Sequence, residues 1–466
     1  MKLLKKLLLG MFALCCAVGF AACGGGSDSK SQPDDTESLN TESSSESSSE
    51  NVQETCEVRG YHNYVAGKCD NCEKEVTPTE YFTFSETTVD GKVGYAIKGV
   101  TKDLPANVIL PDYYMKKAVY SIGNKAFNDC DTLANITIPD SVTLIGDRAF
   151  RNCSNLTSIM ISDVVTSIGT SAFSGCSSLT SIIVDSKNKN YQSIDGNLYD
   201  KSGGILIQYA AGKTDETFTI PESVTSIADS AFIGCIALKN VTGPAFAFSY
   251  LPKDNLQTAV ITSGESLGDE AFRGCRNLTS ITIPDSVTSI GKYAFYDCSS
   301  LTSITIPDSV TSIGNSAFSG CDSLTDIACP VFVLSGVNRN NLQRVVITSG
   351  DSIGTNANTF WGCTSLTSVT LDGIASIDDR AFCECTNLTS VTIGNSVTSI
   401  GDEVFSGCTS LTSVYYKGTA EEWKNITIGY SNKPLTNATR YYYSESAPTE
   451  SGNYWHYDEK GQIVVW

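Results

Sequence analysis

Cys56, His62, Cys69 and Cys72 stand close together in a short stretch near the N-terminus. Thiolates and an imidazole are the donors that a tetrahedral metal takes, and Cys69-x-x-Cys72 has the knuckle spacing that supplies two of four positions. The half from Cys56 to His62 is more loosely spaced. Zinc suits the set. All four positions would be protein ligands, which leaves no open site for catalysis. A disulfide among Cys56, Cys69 and Cys72 fits the same spacing in an oxidising compartment, so both readings stand here. His62 is one of only 2 histidines in 466 residues, and it falls inside the cluster.

Other reactive constellations are missing from the sequence. There is no G-x-S-x-G. Gly212-Lys213-Thr214 lacks the glycine that a phosphate loop has five residues before Gly212; Ile207 stands there. His456 lies among Tyr454, Trp455 and Tyr457 with no cysteine or serine partner indicated. No enzyme and no catalytic cofactor are expected. The formal net charge is −19, and no basic stripe interrupts it. That excludes nucleic acid and anionic lipid surfaces as partners.

Most of the 18 cysteines have another explanation. Cys130, Cys153, Cys176, Cys235, Cys275, Cys298, Cys321, Cys363, Cys385 and Cys408 recur at spacings of 22 or 23, interrupted by 59, 40 and 42. They mark a repeat whose clearest copies are LTSITIPDSVTSIGKYAFYDC from Leu278 and LTSITIPDSVTSIGNSAFSGC from Leu301. A strict period of this length means stacked supersecondary units, because one unit cannot bury its own apolar face and a stack can. Leu278, Ile281 and Ile283 read as a strand with one inward face, and Pro284-Asp285 ends it. Val287 and Ile290 point inward again, Gly291 permits a turn, and Ala294, Phe295 and Cys298 close the coil. The cysteine column reads as buried free thiols, since a free cysteine behaves as a small hydrophobe. Cys329 and Cys383 lie outside it, with Cys383 expected to be exposed.

The pattern Ile290-Gly291, Ala294-Phe295, Cys298, Leu301 resembles the BspA-type leucine-rich repeat of bacterial surface proteins. The resemblance implies a β-rich leucine-rich repeat solenoid: stacked coils of about 23 residues, a parallel strand ladder, and small β caps at both ends. Roughly fourteen coils are expected over residues 120–416, a ladder about 65 Å long. It also implies a cell-surface adhesin or binding protein with a protein ligand, such as host matrix or another cell. A glycan ligand, or a spacer with no ligand, is the alternative.

The flanking segments follow from composition. Residues 1–22 carry Lys2, Lys5 and Lys6 and then an apolar run from Leu7, which reads as a signal peptide. Phe20-Ala21-Ala22-Cys23 resembles a lipobox, with Phe20 where leucine is usual. The resemblance implies a lipid on Cys23 and a membrane contact through that anchor alone. Residues 23–55 are a Ser/Glu-rich tether too polar to fold. Residues 56–80 form the Cys/His mini-module, 81–119 an N-terminal cap with strands at Tyr81–Phe84, Tyr95–Ile97 and Val108–Leu110, and 417–466 a C-terminal aromatic cap.

Two surfaces stand out. Ser280 and Thr282, Ser303 and Thr305, and Ser390 and Thr392 take the outward strand positions and would stack into hydroxyl ladders. Two shortened coils, related by an offset of 86 residues, bring Tyr250 and Leu251, or Leu334 and Val337, where regular coils keep small polar residues. Those four either meet a ligand or fill the core of a shorter coil. Tyr454, Trp455 and Trp466 are candidate platforms for a sugar.

If Cys23 carries lipid, Cys23→Ala will release the chain into the medium or leave it unprocessed. A mutant that fractionates with membranes as the parent does contradicts the lipobox reading.

Overall fold

The computed structural model describes residue 56 and residues 60–72, 74–354 and 360–466. Residues 1–22, read above as a signal peptide, Cys23 and the segment read as a tether lie outside the described residues. Two units are distinguished, the second being the C-terminal stretch from Ser444 to Trp466.

Thr55–Tyr443 is a β-solenoid of about 15 turns with little helix. One coil shows why. Leu278, Ile281, Ile283, Val287, Ile290, Ala294, Phe295 and Cys298 are all buried, and the residues between them are not. The short strand Ser280–Thr282 alternates because successive strand side chains face opposite ways. Strands at this position pair in parallel in three runs, from Asn107–Ile109 to Ser181–Val184, from Thr217–Thr219 to Ser280–Thr282 and from Ser303–Thr305 to Thr439–Tyr443. A second ladder of two-residue strands joins Ser266–Leu267, Ser289–Ile290 and Ser312–Ile313. The ladder therefore starts inside the stretch expected to be cap and runs past residue 416, which is why the turns exceed fourteen.

A third row of hydrogen bonds links the Ala-Phe turns. Phe272 N donates to Ala294 O at 2.7 Å, and Phe295 N donates to Ala317 O at 2.8 Å. The phenylalanine rings stack along the axis: Phe272 on Phe295 at 5.3 Å and Phe295 on Phe318 at 5.2 Å, within 8° of parallel. Gly291, expected to permit a turn, is not among the left-handed positions. A Cβ there would sit 2.5 Å from Asp269 N, so the glycine is required by the close approach of the preceding coil. The left-handed positions fall elsewhere, at Tyr293 (φ 56) and Asp297 (φ 61) in the same coil.

The interruptions are built differently from one another. Between Cys176 and Cys235 the chain forms an antiparallel hairpin, Tyr191–Ile194 with Asn197–Asp200, which continues to Ile205–Gln208. Buried residues fall into two clusters that part between Leu198 and Tyr199, at this insertion. In each shortened coil a 3-10 helix, Ala245–Ser249 or Val331–Gly336, stands after the ladder strand.

At the N-terminal side, Phe82–Val89 and Lys92–Val100 form an antiparallel pair, and Lys92–Val100 runs parallel to Lys117–Ile122, which pairs with Leu144–Ile145. This covers the first turn of the second ladder. Near residue 417 a capping box of Thr419 and Glu422 starts the helix Ala420–Trp423, whose Trp423 is buried with Arg440 4.0 Å over its ring. In the C-terminal unit Tyr454–Tyr457 pairs antiparallel with Ile463–Val465. Asp458 accepts from Lys460 N and Gln462 N to shape the expected turn.

Phe295→Ala should cost about 3–5 kcal/mol. Because each coil touches only its neighbours, hydrogen exchange should rise across residues 272–321 and stay protected across 130–180. Uniform loss over the solenoid would contradict this account.

Candidate functional site

The hairpin Tyr64–Val65 with Lys68–Cys69 brings the four predicted ligands together. Gly67 at its turn has φ +87, and a Cβ there would lie 2.6 Å from Val76 O, so only glycine lets the hairpin close on the following strand. Cys56 Sγ is 3.4 Å from Cys69 Sγ; His62 Nδ1 is 3.4 Å from Cys69 Sγ and 3.3 Å from Cys72 Sγ. All four donor atoms lie within 4.8 Å of one another. A tetrahedral zinc would hold such donors about 3.5–3.8 Å apart, whereas a disulfide needs about 2.05 Å.

The electrostatics point the same way. Burial pushes the Cys69 thiol up, but the backbone N–H groups of Asn71 and Cys72 and the His62 ring outweigh it and bring it down to about 6. Cys56 is pushed up to about 12 by desolvation and by its thiol neighbours. A thiolate is thus favoured at Cys69 and opposed at Cys56, and a cation among the sulfurs would relieve that opposition. The group Cys56, His62, Cys69 and Cys72 could hold a metal ion.

The outward strand row is less uniform than the Ser/Thr ladder expected. Thr282 is exposed, and Ser280, Ser303 and Thr305 are half-buried. Thr392 is only 3% exposed, so it does not belong to an open hydroxyl row. In register with these threonines stand Val260, Ala328, Val346 and then Tyr415 and Tyr441, whose rings stack at 5.2 Å. Toward the N-terminus the same position carries Ile109, Met160 and Ile183, exposed at 41%, 60% and 46%. Other repeat threonines turn inward in function: Thr279 Oγ1 donates to Gln257 O and Thr288 Oγ1 to Glu265 O. Trp455 is fully buried and cannot serve as a sugar platform; Trp466 stays partly exposed, stacked on His456 at 4.0 Å.

Residues 106–205, 209–247, 244–338 and 337–437 match the family described as BspA type Leucine rich repeat region (6 copies). The chain belongs to the BspA-type leucine-rich repeat family. Among solved structures it is similar to a leucine-rich repeat protein from Bacteroides ovatus, at 26% identity over 75% of this chain and 98% of that one, with a TM-score of 0.41. It is also similar to a leucine rich cell surface protein from Faecalibacterium prausnitzii, at 24% identity over 74% and 98% of the two chains, TM-score 0.21. A third is the pneumococcal vaccine antigen PcpA, at 21% identity over 70% and 66%, TM-score 0.32. No curated protein matches.

The BspA-type cysteine column behaves as small buried donors. Cys298 Sγ donates to Phe272 O at 3.1 Å and Cys321 Sγ to Phe295 O at 3.2 Å, each bonding the preceding coil. Burial pushes the thiols up, Cys275, Cys321 and Cys408 to about 12, which makes them inert. Cys383, expected at the surface, is buried at 7% exposure, and Cys329 faces the core from the strand Asp326–Cys329. Sequence reading missed the aspartates after the repeat glycine: Asp147 Oδ1 accepts from Thr170 N and Asp402 Oδ1 from Tyr430 N, each one coil on. Their recurrence after Ile-Gly was the available signal.

The shortened coils resolve toward core. Leu251 is 4% exposed, Leu334 is fully buried and Val337 is 8% exposed, while Tyr250 packs half-buried against the same cluster. Leu251 is therefore not available to a ligand. Lys253 follows it and donates Nζ to Glu270 O at 2.7 Å, tying the short coil to the next turn. Leu251→Ser should destabilise by about 2–5 kcal/mol, as for a buried leucine lost from a core. Tyr250→Ser should shift the thermal midpoint less. Equal, negligible shifts for both would contradict the core assignment of Leu251.

Proposed function

We propose that this chain is a bacterial surface protein, anchored by lipid on Cys23, that binds protein ligands on the outward face of its main strand ladder. The observation that carries the reading is the set of exposed apolar residues Ile109, Met160 and Ile183 at one outward strand position, with Thr137 between the first two. Apolar side chains lined up on a rigid exposed sheet mark protein contact more than sugar contact. The hydroxyl positions Ser280, Thr282, Ser303 and Thr305 belong to the strands beyond the hairpin insertion. A chain with net charge −19 suits neither nucleic acid nor anionic lipid as the partner. The BspA-type repeats supply a scaffold for recognition, which favours a binding function.

The stacked pair Tyr415 and Tyr441 favours one second reading, a glycan laid on the C-terminal end of the same face. The metal at Cys56, His62, Cys69 and Cys72 is a structural zinc, since the donors are soft and all four positions are protein.

A panel of extracellular matrix proteins and a glycan array separates the readings. Met160→Thr with Ile183→Thr gives both positions the residue found in register at Thr137. It should leave thermal stability unchanged and weaken protein binding by roughly tenfold or more, the loss of a buried anchor pair. Undiminished protein binding, or binding only to glycans and only with Tyr441 intact, would overturn the protein reading.

A further inference from the structure

The Cys/His module meets the solenoid at Asp112. Asp112 lies between the first ladder strand and the strand Tyr113–Tyr114. Its backbone belongs to the coils: its carbonyl accepts from Val119 N at 2.8 Å and from Ser141 Oγ at 3.4 Å. Its side chain belongs to the module. Asp112 Oδ1 accepts from Tyr64 OH at 2.5 Å, and Oδ2 accepts from Lys74 Nζ at 2.7 Å. His62 turns Nδ1 toward the sulfurs and Nε2 toward Asp112 Oδ2, 3.7 Å away. Tyr113 sets its ring edge-on to His62 at 6.0 Å.

The module also closes an open edge. Asn107–Ile109 is the first strand of the main ladder, so one side of it has no neighbouring coil. Thr77 meets it there: Thr77 N donates to Ile109 O, and Ile109 N donates to Thr77 Oγ1, both at 2.9 Å. Val76 N in turn donates to Gly67 O, in the turn that carries Cys69. Among the described residues of 56–80, only Gly67, Cys69, Val76 and Thr77 are buried. So few buried groups cannot offset the entropy of ordering the segment, and a module of this size needs a metal or a cross-link to hold it.

We propose that Asp112 is the outer carboxylate of the metal site, and that metal binding locks the module onto the open edge of the ladder as a metal-dependent cap. The proposal rests on the zinc reading of the cluster. A metal-bound imidazole ligating through Nδ1 carries its proton on Nε2, and a carboxylate accepting that proton fixes both tautomer and ring orientation. Tyr64 and Lys74 hold the carboxylate in place. Loss of the metal frees the side chains from Cys56 to Cys72 and leaves Thr77 alone to hold Ile109. The edge then presents unpaired backbone next to an exposed isoleucine, a template for end-to-end pairing of two chains.

The test uses the purified full chain with zinc, and the same chain after removal of zinc by a chelator. Zinc affinity is read by competition with a colorimetric chelator, and edge protection by hydrogen exchange. Asp112→Asn keeps the backbone acceptor and should weaken zinc binding by about tenfold to a hundredfold. Tyr64→Phe, which leaves the carboxylate charged but less restrained, should fall between that variant and the parent. Chelation should raise exchange over residues 60–80 and 107–110 and leave 272–321 unchanged. Parental zinc affinity in both variants, or full protection of 107–110 without metal, would overturn the proposal while the zinc reading stands. A parent chain that takes up no zinc would instead overturn the zinc reading, and the proposal with it.

Discussion

Parallel strands hold their neighbours about 4.8 Å apart, and every other part of this coil must live with that spacing. Side chains at equivalent positions then meet each other through the whole length of the stack. Flat rings satisfy the spacing well, and the phenylalanines stack at 5.2–5.7 Å where regular coils adjoin. A Cβ at the repeat glycine does not fit, which is why Gly146, Gly169, Gly291, Gly314 and Gly401 would each bring one to within 2.3–2.5 Å of the coil before. A thiol suits the last inward position, being small, apolar and still able to reach a carbonyl in the neighbouring coil. The repeat motif is thus a list of residues compatible with one translation.

The same constraint explains how the interruptions are tolerated. A shortened coil must still present one strand in register, and Asn240–Gly243 and Asp326–Cys329 do so on both sides. What is left out is the second strand and its turn, and a 3-10 helix with Phe248 and Leu251, or Val333 and Leu334, fills the space. The hairpin near residue 195 is a larger departure. It takes the place of a regular coil and separates two hydrophobic cores, so the exposed apolar residues Ile109, Met160 and Ile183 lie on the first core's side of it.

Edges are where a stacked structure is most exposed, because the last strand on each side keeps unpaired backbone groups. At the N-terminal side two devices are present. The pair Phe82–Val89 and Lys92–Val100 covers the second ladder with apolar bulk, and Thr77 meets the main ladder with two hydrogen bonds. The second device hangs on a module with almost no core, which makes the Cys/His cluster and Asp112 matter to the coils beyond it.

How far the sequence reached differs from feature to feature, for a physical reason in each case. By itself it determined the coil: the period, the inward residues and the four metal-competent donors. Those follow from local pattern, since a strand alternates and a repeat must stack on itself. It could not place Leu251, Cys383 or Thr392, because whether such a residue is covered depends on segments distant in the chain. Nor could it show that Gly291 answers to a neighbouring backbone rather than to its own torsion. Asp112 carried no signal at all, standing 40 residues beyond Cys72. Only the tertiary structure, by laying the first coil against the module, puts that carboxylate beside His62.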